Sequence, residues 1–201
     1  MNDERRDPPV RVRVTGLQEA QLQTLVATER ASAAHRLAAG VPEALVVVRD
    51  ERDLVGLMRR HDVRVVEADG DPAGYLAWRD EAPGVAIVEA LVVEPSYRRY
   101  GLGTRLLREV GDKAGILGIT HALVLAPRGD SDAASFLFKR GFAPTGWRPD
   151  AAELGADLPE AIRNWLDAGN ARLVTASLEL WMGGTNGLGF IPGLPMPEPT
   201  W

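Results

Sequence analysis

The sequence predicts an α/β fold, one domain of sheet and flanking helices. Short β-rich runs recur along the chain, helix-spaced leucine runs lie between them, and Asp/Gly/Pro clusters mark the turns. A chain of 201 residues, 45% hydrophobic and 25% charged, is long enough for one core and short of two ordinary domains. Residues 1–9 are charged and proline-containing and read as a flexible N-terminus. Residues 10–182 form the domain, with a helical insert at about 150–170, and residues 183–201 are a Gly- and Pro-rich tail.

The first element is VRVRVTG, residues 10–16, whose period of two puts Val10, Val12 and Val14 on one strand face. Residues 17–40 then space Leu22, Leu25 and Val26 as one helical stripe, with Gly40 as the stop. A second helix is predicted over residues 50–60. From Val63 to Pro95 three antiparallel strands are separated by the turn clusters DGDP and DEAPG. The third, residues 85–93, is apolar on both faces except at Glu89, as a central strand would be. Leu102, Leu106, Leu107 and Val110 define a helix after Gly101. THALVLAP follows as a buried strand and SDAASFLFKRGF as a short helix ended by Gly141. Asp157 and Glu160 stand at capping-box spacing with Pro159 in the first turn, which starts a helix within the insert. Residues 171–182 are the last strand.

Composition excludes several functions. A formal net charge of -5 argues against a nucleic-acid binder that relies on a broad basic surface, and the basic patch MRRHDVR reads as a solvated turn. Without cysteine there are no disulfides, thiolate metal sites or cysteine nucleophiles. No apolar run is long enough to span a membrane and MNDERRDPPV lacks a signal's apolar core, so the expectation is a cytoplasmic protein with no membrane partner. His35, His61 and His121 are far apart and form no helix-spaced ligand pair. No metal is expected, and each reads as an ordinary surface or element-end histidine.

The stretch EALVVEPSYRRYGLGTRLL, residues 89–107, runs from the apolar strand past two arginines and two glycines into a helix. The first backbone N–H groups of a helix lack intrahelical partners and carry the positive end of the dipole, so such a turn suits phosphate. Gly101 and Gly103 let oxygens approach the backbone, Arg98 and Arg99 add charge-assisted hydrogen bonds, and Thr104 adds a hydroxyl. Two glycines alone are equally consistent with a tight strand-to-helix turn. The stretch completes neither G-x-G-x-x-G nor a Walker loop.

The whole passage LVVEPSYRRYGLGTRLL resembles motif A of the GNAT family of N-acetyltransferases, whose pattern is Arg or Gln, two residues, Gly, one residue, then Gly or Ala. Arg98, Gly101 and Gly103 match it. The resemblance implies an acyl-CoA N-acyltransferase type of fold: a mixed, centrally splayed β-sheet flanked by helices, open between the strand ending at Val93 and the strand HALVLAP. Acetyl-CoA would lie in that opening as cosubstrate. Its pantetheine arm would meet the backbone of Leu91, Val92 and Val93. Its pyrophosphate would meet Arg98, Arg99, Tyr100, Gly101, Leu102, Gly103 and Thr104. SDAASFLFKRGF resembles the family's N-x-x-A-x-x-F-Y helix followed by Gly-Phe, with Ala133, Phe136, Gly141 and Phe142 matching. Asp130 stands at the cofactor-side Asn position, and Leu137 replaces the Tyr that can protonate the leaving thiolate, so the general acid is unassigned. Family homodimers through the late strands imply one here.

Acetyl transfer to an amine needs the amine's proton removed, and Glu89 is the candidate base. A carboxylate in an apolar central strand is expected to have a raised pKa and to share a face with Leu91 and Val93. Family members that acetylate amines, polyamine acetyltransferases among them, have a glutamate at the matching position. The competing reading is an exposed glutamate paired with a neighbouring arginine such as Arg79. With no Cys and no G-x-S-x-G elbow, direct attack in a ternary complex fits better than an acyl-enzyme. The family's acceptor pocket implies Trp78 and Arg79 as substrate-binding residues, whereas Trp165 and Trp181 read as core or interface. The acceptor is a small-molecule or peptide amine, and the acidic chain leans toward a cationic one. The rival function is a catalytically silent acyl-CoA-binding or sensing module, favoured by Leu137. A partner-binding protein using the tail would have no CoA affinity.

Overall fold

The computed structural model describes residues 9, 11–82, 85–117, 119, 121–127, 130–140, 142–144 and 171–177. The alternating start forms β1 (Val12–Gly16), with Val12 and Val14 packed on the apolar core. A 3-10 turn at Glu19–Gln21 leads into α1 (Leu22–Ala38), which buries Leu22 and Leu25 and ends before Gly40, at φ 88°. The second helix, α2 (Glu51–Arg60), is capped by Asp50: its side chain accepts from Asp53 N at 2.8 Å, and Asp50 N donates back to Asp53 Oδ2 at 3.1 Å. β2 (Asp62–Ala68) turns into β3 (Asp71–Ala82) through Asp69 and Gly70, both at positive φ (55° and 100°), as a two-residue hairpin turn requires. β4 (Val85–Val93), α3 (Leu102–Leu117) and β5 (His121–Pro127) follow. Next come α4 (Ser131–Phe138), β6 (Ala143–Pro144) and β7 (Ala171–Ser177). The helix expected within the insert, the tail, Val10, Gly141, Trp165, Trp181 and the end of the last strand lie outside the described residues.

The strands form one mixed sheet in the order β1-β2-β3-β4-β5-β7-β6, with β4 at its centre as its apolar character predicts. All pairings are antiparallel except β4 with β5, whose parallel connection runs through α3. That parallel pair is short. It extends from Val85 opposite His121 to Val88 opposite Val124 and stops, while β5 stays paired with β7 to Pro127. The sheet therefore forks after Val88, as the splayed fold requires.

α3 packs against β1 to β4 on one face, and α1 and α2 pack on the other. The α3 face buries Leu76, Trp78, Val88, Leu102, Leu106, Leu107 and Val110. The opposite face buries Leu22, Leu25, Leu54, Leu57, Val63, Val65 and Tyr75.

Candidate functional site

The site begins where β4 leaves β5. On the β3 side, Ala77 is opposite Ala90 but Trp78 is opposite Val88, so Glu89 is an extra residue, a β-bulge in β4. The inserted residue reverses the side-chain alternation. Val88 lies in the α3-side core, yet Ala90, two residues on, lies in the α1/α2-side core. Leu91 and Val93 pack toward α3, whereas Glu89 meets residues flanking α2. The expectation that Glu89 shares a face with Leu91 and Val93 is thus corrected: the bulge separates them. Val92 is buried among the α1/α2-side residues, and its carbonyl lies so close to β3 that a Cβ on Gly74 would meet it at 2.5 Å.

The Glu89 side chain is 33% exposed, and its Oε2 lies 2.7 Å from Nε2 of His61, a close polar contact. The carboxyl is held below the ordinary glutamate range, first by this contact with His61 and, against the effect of burial, also by the charges of Arg49 and Arg79. The raised pKa expected from burial is therefore corrected. Desolvation is present, but the His61 contact and the arginine charges together outweigh it. His61 is the C-cap of α2, so it is an element-end histidine, but its side chain is 2% exposed. The expectation of a solvated turn at MRRHDVR is corrected: Met58–Arg60 close α2 and Asp62–Arg64 open β2, with Arg59 and Arg60 exposed, Val63 buried and His61 turned inward.

Behind Glu89 lies a buried polar group that sequence spacing does not reveal. Arg49 Nη2 donates to the Glu89 carbonyl at 3.4 Å, and Nη1 donates to Glu29 Oε1 at 3.2 Å. The buried Tyr75 hydroxyl donates to the same Glu29 oxygen, and burial first, with the Glu29 carboxylate, pushes the phenol's pKa up. These residues come from α1, the loop before α2, and β3, so no local pattern joins them. Of the two expected acceptor-pocket residues, Arg79 bears electrostatically on Glu89. Trp78 is 2% exposed within the α3-side core, on the other face of the sheet.

The turn after β4 takes the shape that anion binding needs. Arg99 and Gly101 both have positive φ, 70° and 80°, and a Cβ on Gly101 would have nothing within 4 Å. The first intrahelical bond of α3 is Arg105 N to Gly101 O at 3.0 Å, which leaves the N–H groups of Leu102, Gly103 and Thr104 without an intrahelical acceptor. Leu102 and Tyr100 direct their side chains at the core. Gly103 has a second reason to be glycine: a Cβ there would meet the Phe136 ring at 3.0 Å. Arg98 Nη2 donates to Ser32 Oγ on α1 at 3.2 Å, and Nη1 lies 3.7 Å from Asp132 on α4. Arg140, which sequence reasoning missed, donates from Nε to Thr104 Oγ1 at 2.8 Å and lies over the Phe136 ring at 4.0 Å. Asp130 caps α4, accepting from Ala133 N at 2.9 Å, and pairs with Arg36 at 3.2 Å. Leu137 is buried in the core.

A model described as the acetyltransferase (GNAT) family matches residues 34–142, more than half of the chain. No curated protein sequence matches it significantly. Among solved structures, the PaiA N-acetyltransferase of Thermoplasma acidophilum, in complex with coenzyme A, is 18% identical with a TM-score of 0.67, over 84% of this chain and 99% of that one. N-acetylglutamate synthase of Neisseria gonorrhoeae, complexed with coenzyme A and N-acetyl-glutamate, is 21% identical with a TM-score of 0.63, over 84% of this chain and 35% of that one. The ribosomal-protein-S18-alanine N-acetyltransferase of Escherichia coli is 15% identical with a TM-score of 0.59, over 84% and 94%. At these identities the likeness is one of fold.

Proposed function

The chain belongs to the acetyltransferase (GNAT) family, and we propose that it transfers an acetyl group from acetyl-CoA to a primary amine by direct attack in a ternary complex. One observation carries this reading. Glu89, the bulged residue, is the first residue beyond the last β4–β5 pair, so it stands where the sheet opens, with its side chain one-third exposed. The residues fit acetyl-CoA: past Val88 the edge of β4 has no β5 partner among the described residues, which suits the amides of a pantetheine arm. The turn at residues 98–104 offers first-turn N–H groups with Arg98 and Arg99 beside them, which suits a pyrophosphate. Acetyl-CoA supplies a thioester with an electrophilic acetyl carbon.

The depressed pKa of Glu89 keeps it ionised at neutral pH, so it attracts an amine that arrives protonated. A carboxylate this acidic is a weak base for a free ammonium ion. As the amine nitrogen bonds the acetyl carbon it becomes positive and its proton far more acidic, and Glu89, directly or through water, takes that proton. The C–S bond breaks and the thiolate leaves. A thiolate is a far better leaving group than an alkoxide, because thiols ionise not far above neutral (a cysteine thiol at roughly 8.5), so departure does not require the tyrosine that Leu137 replaces. The acceptor in this reading is a small-molecule or peptide amine.

A second reading is an acyl-CoA-binding or sensing module without catalysis, favoured by the buried Leu137, which has no proton to give. Calorimetric titration with acetyl-CoA and CoA, followed by an amine screen with wild type and Glu89→Gln, separates the two. The enzyme reading expects binding that weakens in Arg98→Ala/Arg99→Ala and turnover that falls about 10²–10⁴-fold in Glu89→Gln. Binding without turnover of any amine supports the module, and no binding sinks both.

A further inference from the structure

Residues 49 and 61 bracket α2, and both reach Glu89. Arg49, just ahead of the Asp50 cap, donates to the Glu89 carbonyl at 3.4 Å, and His61, the C-cap, lies 2.7 Å from its carboxylate. A ten-residue helix thus holds the bulge by its backbone at one end and by its side chain at the other. Each holder is itself fixed. Arg49 is tied to Glu29, which also accepts from Tyr75, and the His61 side chain is almost wholly buried. The imidazole is too deeply buried to meet an amine in the cleft, and its Nδ1 has no hydrogen-bond partner among the described residues. Its contact is with the base, not with a substrate.

We infer that His61 and Arg49 are positioning residues: α2 clamps Glu89 so that its carboxylate faces the opening of the β4–β5 fork. This rests on the acetyl-transfer reading above. The charged and titratable groups facing Glu89 are His61 and Arg49 from the two ends of α2 and Arg79 from β3. Glu29 on α1 and Tyr75 on β3 act on it through Arg49. Removing the His61 imidazole removes the largest influence lowering the Glu89 pKa, so that pKa rises.

The test uses the full chain with His61→Ala, the more conservative His61→Gln, which keeps an amide donor near the Nε2 position, and Arg49→Lys. Two readouts run together: the pH profile of kcat/KM for acetyl transfer, and ¹³C NMR titration of the Glu89 carboxyl. In His61→Ala the carboxyl titrates at higher pH and the acid limb of the profile moves up with it. There kcat falls on the order of 100-fold, the scale of a 1 Å misplacement, and acetyl-CoA affinity is unchanged. His61→Gln recovers part of the rate, and Arg49→Lys loses kcat with acetyl-CoA affinity retained. In a Glu89→Gln background His61→Ala has no further effect on kcat. A Glu89 titration that does not move in folded His61→Ala overturns the clamp, as does a rate loss in the double variant equal to the product of the two singles. If the titration moves but wild type acetylates no amine, the clamp stands as a structural contact and the acetyl-transfer reading fails instead.

Discussion

The two faces of the central sheet are built on different physics. The α3 face closes over Leu76, Val88, Leu102, Leu106, Leu107 and Val110, so its gain is apolar area removed from water. The α1/α2 face has apolar residues too, but it also buries Glu29 and the hydroxyl of Tyr75, and it holds Arg49, His61 and Glu89 around the fork. Buried charges contribute little net stability even when paired, because desolvation offsets their attraction. Both faces hold the sheet by apolar burial, and the α1/α2 face also sets polar groups beside the fork.

That division can be broken by mutation. The largest expected effect is Arg49→Met, which leaves Glu29 as a buried, uncompensated carboxylate and costs about 3–5 kcal/mol in urea denaturation. Glu29→Gln/Arg49→Met should recover most of that stability while acetyl transfer stays impaired. A double variant as active as wild type would show that the polar face serves folding alone. Leu106→Ala, in the opposite core, should cost about 2–5 kcal/mol and leave kcat per folded molecule unchanged. A fall in kcat there would mean the two faces are coupled. Gly101→Ala meets no neighbouring atom but forces a side chain into left-handed backbone, at about 1–2 kcal/mol, read as a lower Tm.

The smallest effect is the pH dependence carried by Glu89. Its pKa is lower in the folded chain than unfolded, so its stabilisation is fully present above the unfolded value of roughly 4.3 and is lost as pH falls through the folded value. Melting temperatures of wild type and Glu89→Gln should therefore converge on acidification. A gap that persists at the lowest pH would assign the difference to packing.

Local chemistry made much of the fold legible. Residues 50–60 were legible as α2, the DGDP cluster as the hairpin turn, and the run at residues 85–93, apolar except at Glu89, as the central strand. Arg98, Gly101 and Gly103 were legible as a turn and, through their resemblance, as a family motif. The second role of Gly103 was not: Phe136, which occupies the space beside it, is 33 residues away. A phosphate probe that adds bulk at Gly103 would disturb α4 as well, which makes the exposed Arg99 the cleaner position to vary.

Glu89 shows where sequence and tertiary structure divide the work. The sequence by itself determined that one carboxylate interrupts an apolar central strand just ahead of an anion-suited turn, because period, polarity and turn residues are properties of neighbouring positions. Only the tertiary structure decided which way that carboxylate faces and how acidic it is. The bulge is defined by pairing with β3, and the groups that lower the Glu89 pKa are His61, Arg49 and Arg79, which are remote in sequence. Electrostatic energy depends on distance in space, so a pKa expected from burial alone took the wrong sign once His61 lay 2.7 Å away.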